Sequence, residues 1–214
     1  MLLKNVWKIR ERLLSARPRR RAANLSRLTE SLEQRTLLTV AALLIDGELT
    51  VVVEDDNDDV AVQTNAVGEV EILVNGQAAP LIAPVRAETI ARLRVEGSEG
   101  NNLINLSGVT AAEFSYRDPF TNSPIEIIVN AGNGNDTISA PDGLDATLNG
   151  EHGDDVISPS TGLGVLTING GDGADIITGG LGNDIINGGD GDDVIDAGDG
   201  DDNIDAGDGA DNVM

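Results

Sequence analysis

Seven aspartates, Asp136, Asp155, Asp175, Asp184, Asp193, Asp202 and Asp211, occupy the same place in a short recurring phrase, and the last five are nine residues apart. Read in nines, residues 170–214 give GGDGADIIT, GGLGNDIIN, GGDGDDVID, AGDGDDNID and AGDGADNVM, with no slip of phase. Gly or Ala opens each unit, Gly holds positions two and four, Asp holds position six, and an aliphatic residue holds position eight: Ile177, Ile186, Ile195, Ile204 and Val213. Glycine tolerates positive φ, so a tight turn of this composition curls its carbonyls toward one point, and the aspartate adds a carboxylate there. Carbonyl and carboxylate oxygens from two stacked turns suit a hard cation such as Ca²⁺, which takes about six to eight oxygens at ~2.3–2.6 Å.

The glycines that shape these turns are Gly171 with Gly173, Gly180 with Gly182, and Gly189 with Gly191. Gly198 with Gly200 and Gly207 with Gly209 complete the set. The phrase also recurs upstream. AGNGNDTIS at 131–139 supplies Gly132, Gly134 and Asp136, and GEHGDDVIS at 150–158 supplies Gly153 and Asp155. Between them, APDGLDATLN at 140–149 keeps Gly143 and Asp145 but is one residue too long. TGLGVLTIN at 161–169 keeps Gly162, Gly164 and Ile168 but has Leu166 at position six, so it can build the structure without binding metal.

A nine-residue unit that buries one aliphatic side chain cannot fold alone; each must stack on the next. Residues 131–214 hold nineteen acidic residues and no Lys or Arg, so stacking crowds like charges and self-repulsion opposes compaction. The segment is therefore expected to be disordered without calcium and to fold on binding it.

These units resemble the RTX (repeats-in-toxin) nonapeptides of hemolysin-type calcium-binding proteins. The resemblance implies an all-β fold, a right-handed parallel β-roll (a β-solenoid) in which two nonapeptides make one turn and Ca²⁺ lies in the loops along both edges. Alternating the nine units of 131–214 then assigns Asp136, Asp155, Asp175, Asp193 and Asp211 to one edge and Asp184 and Asp202 to the other. Neighbouring pairs along the two edges imply about five Ca²⁺ ions.

Charge divides the chain. Residues 1–35 carry ten basic and three acidic residues, a net of +7, whereas residues 36–214 carry four basic and thirty-four acidic, a net of −30. A nucleic-acid backbone requires a basic footprint, and none exists after Arg117, so nucleic acid is not expected as a partner. Aromatic residues make up 2% of the chain, which leaves Val, Ile, Leu and Ala to form a thin core. Cysteine is absent, so the staple is neither a disulfide nor a thiolate-bound metal.

Three domains are expected: a basic export or targeting segment at 1–45, a β-rich region at 46–130, and the calcium-binding roll at 131–214. In the first, the basic stretch runs into TLLTVAALLI at 36–45, which is too short to span a bilayer and reads as the apolar part of an export signal. SLEQRTLLT at 31–39 resembles the LEPR-xLL segment of large exported bacterial proteins, with Gln34 in place of Pro. A twin-arginine reading of Arg19, Arg20 and Arg21 is weaker, because the apolar run lies far downstream. A secreted or cell-surface location follows.

In the second domain, LTVVV, VEILV, ARLRV and IEIIV read as short strands between turn residues, giving either a degenerate solenoid or a small β-sandwich. GSEGNNLIN at 97–105 echoes the repeat with Asn102 at six and Ile104 at eight, and EDDNDDVAV at 54–62 with Asp59 and Ala61. The acids Asp55, Asp56, Asp58 and Asp59 read as a solvated turn cluster or, less simply, a further cation site.

No catalytic signature is visible: HExxH and GxSxG are absent, and the single histidine, His152, reads as a solvated loop residue. The expected function is a non-catalytic, calcium-binding structural or surface module of an exported protein. The alternative is a fragment of a secreted RTX-bearing enzyme acting on polysaccharide or protein, with Asp58 and Asp59 as its candidate acids. The repeats run up to Met214, so the last coil is expected to be uncapped and open to self-association.

Overall fold

The structure is a computed structural model that describes residues 40–53, 57–79, 81, 84–159 and 162–214. The readings placed on residues 1–39, namely the basic stretch, Arg19, Arg20 and Arg21, and the LEPR-xLL-like segment, lie outside the described residues, as do Asp55 and Asp56. The described chain is all-β apart from a single 3₁₀ turn, Ala87–Thr89.

Strand β1 (Val40–Ile45) turns into β2 (Glu48–Val53) through Asp46 and Gly47, whose φ angles are 50° and 82°. Two successive residues of positive φ match the right-handed twist of a two-residue antiparallel hairpin. β3 (Asp59–Thr64) pairs antiparallel with β4 (Val70–Val74), which turns through Asn75 and Gly76, at φ 51° and 74°, into β5 (Gln77–Ala79). Within β4 the side chains of Val70, Ile72 and Val74 are buried and those between them are half-buried, the period-two pattern of a strand lying on a core.

From β6 onward the chain winds between two sheets. β6 (Arg92–Glu96), β7 (Leu103–Asn105), β8 (Glu126–Asn133), β9 (Thr137–Ser139), β10 (Ala146–His152) and β11 (Val156–Ser158) lead into the nonapeptides. β12 (Leu166–Asp172), β13 (Ile176–Gly180), β14 (Ile185–Asp190), β15 (Val194–Gly198), β16 (Asn203–Asp208) and β17 (Asn212–Val213) follow. Even-numbered strands extend the sheet of β2 and odd-numbered ones the sheet of β3. Every pairing between successive turns is parallel, so both sheets run across residue 130 without interruption.

Register stacks one aliphatic residue per turn into a row on each sheet. Val51, Val95, Val129, Leu148, Ile168, Ile186 and Ile204 face one another along the first sheet. Val60, Ile104, Ile138, Ile157, Ile177, Ile195 and Val213 do so along the second. All are buried except at the last turn, where Ile204 is half-buried and Val213 exposed. Two segments interrupt the winding at 65–91 and 106–125, and they add further fully buried groups, including Ile72, Ile90, Leu106 and Phe114. At the start of the stack, β1 covers the open edge of β2, and the β4–β5 hairpin covers that of β3.

Candidate metal centre

The position-six aspartates stand where each turn meets its next strand. Asp136, Asp155, Asp175, Asp184 and Asp193 are almost wholly buried, and Asp202 and Asp211, in the last turns, are half-buried. A buried carboxylate needs donors, and the preceding turn supplies one. The backbone N–H of Asn102 donates to Asp136 Oδ1 at 2.7 Å, that of Asp136 to Asp155 Oδ1 at 2.7 Å, and that of Asp155 to Asp175 Oδ1 at 2.8 Å. Asp175 then donates to Asp193 Oδ1 at 2.8 Å and Asp193 to Asp211 Oδ1 at 3.0 Å. On the other edge, Leu166 donates to Asp184 Oδ1 and Asp184 to Asp202 Oδ1, both at 2.8 Å. The structure thus sorts the seven aspartates into the same two columns as the alternation of units.

A second ladder runs the opposite way one residue earlier. The N–H groups of Asn135, Asp154, Ala174 and Ala210 donate to the side-chain Oδ1 of Asn101, Asn135, Asp154 and Asp192 in the turn before, at 2.9–3.1 Å. At these junctions each turn therefore gives its position-six N–H forward and its position-five N–H backward. Sequence reasoning did not assign this role to position five, although Asn or Asp fills it in Asn135, Asp154, Asn183, Asp192 and Asp201.

Two phases read from the sequence are corrected. Asp145 does not stand at position six: Ala146 pairs with Leu166, and Asp145 Oδ1 accepts the Val165 N–H at 2.9 Å as a position-five residue does. The additional residue of that unit is absorbed in the turn before it. Likewise, Asp58 rather than Asp59 occupies the column, donating its N–H to Asn102 Oδ1 at 3.2 Å, and Val60 rather than Ala61 stands in the buried row. Asp59 is exposed at the start of β3.

The glycines permit the close stacking of turns. Gly173 has φ of +138°, and a Cβ on it would overlap the Gly153 carbonyl oxygen of the turn before. Gly171, at φ +121°, bears the same relation to the Glu151 carbonyl.

One oxygen of each ladder carboxylate remains unserved. Oδ2 of Asp136, Asp155, Asp175, Asp184 and Asp193 is buried with no hydrogen-bond partner. Burial pushes Asp155 up to about 7 and Asp136 and Asp175 up to about 6, only partly offset by the N–H bonds each accepts. Asp184 and Asp193 are raised for the same reason, with the charges of Asp202 and Asp211 adding to the effect. Such groups require a proton or a cation. Among the described residues no three carboxylate or imidazole side chains gather closely enough to hold a metal by themselves, so a cation here must share carboxylate oxygens with turn carbonyls. That all-oxygen donor set fits Ca²⁺.

His152 is exposed, with Nδ1 2.9 Å from Asp172 Oδ2 on the next turn. No helix among the described residues is long and apolar enough to cross a membrane.

Compared with known families, residues 128–146, 167–186 and 178–213 match the RTX calcium-binding nonapeptide repeat, in 4 copies. No curated protein and no solved structure matches the chain. The stacked turns at residues 128–146 and 167–213 thus match RTX calcium-binding nonapeptide repeats, and repeats of this family bind Ca²⁺.

Proposed function

We propose that residues 131–214 form a right-handed calcium-loaded roll, a non-catalytic structural or surface module of an exported protein that folds when Ca²⁺ binds. Asp136, Asp155, Asp175, Asp193 and Asp211 hold ions along one edge and Asp184 and Asp202 along the other, with carbonyls of the glycine turns completing the coordination. The reading is carried by the five buried Oδ2 atoms that no donor serves. Nineteen acidic residues without a single Lys or Arg in this segment support a metal requirement, because a divalent ion relieves the repulsion that stacking creates.

Export rests on the basic residues 1–35 and the apolar run after them. The last part of that run is β1, Val40–Ile45, so the proposed export segment, 1–45, ends in a strand that pairs with β2 of the proposed β-rich region, 46–130. Self-association of the roll is part of this reading, and sedimentation with and without calcium tests it.

Far-ultraviolet circular dichroism of the full chain is the test of folding. Strand signal is expected to rise on titrating calcium into the chelated protein, with equilibrium dialysis counting about five ions. An unchanged spectrum overturns the proposal.

A further inference from the structure

Asn102 sits at position six, 2% exposed, in the column that Asp136 continues. Its side chain leaves nothing unserved: Oδ1 accepts the Asp58 N–H at 3.2 Å, and Nδ2 donates to the Gly100 carbonyl, at position four of the same turn, at 3.0 Å. The next rung back is also served by an amide, since Asn75 Nδ2 donates to Asp58 Oδ1 at 2.8 Å while Asn75 Oδ1 accepts the Asp59 N–H at 3.0 Å. The contrast with Asp136, Asp155, Asp175, Asp184 and Asp193, each with a buried oxygen lacking a donor, is one of chemistry at an equivalent place. An NH₂ group stands on the position-four carbonyl where the later turns have only oxygens.

We propose that the turns built on β2, β3, β6 and β7 fold without calcium, because the amides of Asn102 and Asn75 do in their rungs what the ion does in later ones, and that they template the calcium-dependent roll from its N-terminal side. The proposal rests on the reading that residues 131–214 require calcium to fold. Three further features of the early turns fit it. They include arginines that pair with acids, Arg92 with Glu48 and Glu126 and Arg94 with Glu96, which residues 131–214 lack altogether. Their core holds Leu49 and Val53 beside Val51 on β2, Leu93 beside Val95 on β6, and the fully buried Ile72 and Ile90, instead of one aliphatic residue per strand. Both sheet edges at this end are closed, by β1 and by the β4–β5 hairpin. A finished turn then presents the Asn102 N–H, fixed in place, to Asp136 Oδ1, and presents β6 and β7 as parallel edges for β8 and β9. The cost of nucleating a parallel stack is met once, by the metal-free turns, and each ion then adds one turn to a preformed edge.

Hydrogen exchange of the full chain, read by mass spectrometry, tests this. In chelator, amides of β6 and β7 are expected to be protected while those of β12 to β16 exchange freely; with calcium both sets are protected. Free exchange of both sets in chelator overturns the template and leaves the calcium requirement standing. Protection of both sets in chelator overturns the calcium requirement and the template with it. Asn102→Asp removes the amide donor and adds a buried oxygen without a partner, so protection of β7 in chelator is expected to fall about tenfold or more and to return with calcium. Exchange in chelator identical to that of the unaltered chain overturns the role assigned to Asn102.

Discussion

The backbone N–H of Asp155 lies 2.8 Å from Asp175 Oδ1, while Oδ2 of the same carboxylate is buried with no partner. One oxygen holds two turns together and the other, without a donor, is where the proposed ion sits. Substitution should separate these roles. Asp175→Asn keeps the acceptor and places an NH₂ group where Asn102 has one, so it is expected to lower the calcium count while preserving strand signal in saturating calcium. Asp175→Ala removes the acceptor as well, orphaning the Asp155 N–H at a cost of about 1–3 kcal/mol in the denaturant stability of the calcium-loaded chain. Equal calcium counts in Asp175→Asn and the unaltered chain would contradict the assignment.

Acid should substitute for calcium in stabilising the metal-free roll. Burial raises Asp155 to about 7 and Asp136 and Asp175 to about 6 in the folded turns, against about 4 in an unfolded chain. Groups raised in this sense contribute stability that is fully present below about pH 4 and is lost as pH rises through about 6 to 7. Strand signal of the chelated protein is therefore expected to increase on acidification from about pH 8 to about pH 5. Calcium affinity should move the other way over the same window, since protons compete for the same oxygens. Calorimetric titrations at several pH values check the second half of the prediction.

How much of this was legible in the sequence depended on whether a residue's role is local. The Gly, Asp and aliphatic positions of 170–214 make the same contact with the neighbouring turn at every repeat, so the nine-residue phase located both the ladder and the buried row. Asp58 and Asp145 were placed one residue out because their turns contain compensating irregularities that only the pairing of Val60 with Ile104 and of Ala146 with Leu166 resolves. The early turns were obscured by their inserts: the rung from Asp58 to Asn102 spans 44 residues and that from Asn102 to Asp136 spans 34, against 18 between Asp175 and Asp193. The hairpins at Asp46–Gly47 and Asn75–Gly76 had a readable signal, two dipeptides that favour paired positive φ. The first lay beside an apolar run that also fits an export signal, so composition alone did not distinguish strand from leader.

Turn spacing makes Gly173 a sharp test of the stacking. Alanine there must adopt φ near +138° and place its methyl on the Gly153 carbonyl oxygen. Backbone strain alone is worth about 1–3 kcal/mol, and the overlap forces adjacent turns apart, so Gly173→Ala is expected to weaken calcium binding as well as stability. Gly68→Ala is the control: its φ is +77°, but a Cβ there meets nothing within 4 Å. It should show the strain without the loss of calcium affinity. Parallel calcium titrations of the two variants decide the matter, and equal losses would mean that turn spacing is not what glycine protects.

The buried row predicts a gradient along the roll. Ile168 is fully buried between Leu148 and Ile186, so Ile168→Ala opens a cavity that neighbours on both sides must line, at about 2–5 kcal/mol. Ile204 stacks on Ile186 on one side only and is half-buried, so the same truncation removes less contact and should cost well under half as much. In a stacked array each turn is stabilised by its neighbours, which makes the two losses differ in reach as well as size. Ile168→Ala should raise hydrogen exchange across β10, β12 and β14, whereas Ile204→Ala should raise it in β16 and little elsewhere. Equal, chain-wide increases for both variants would indicate that the turns unfold as one cooperative block, and the coil-by-coil growth argued for the roll would then fail.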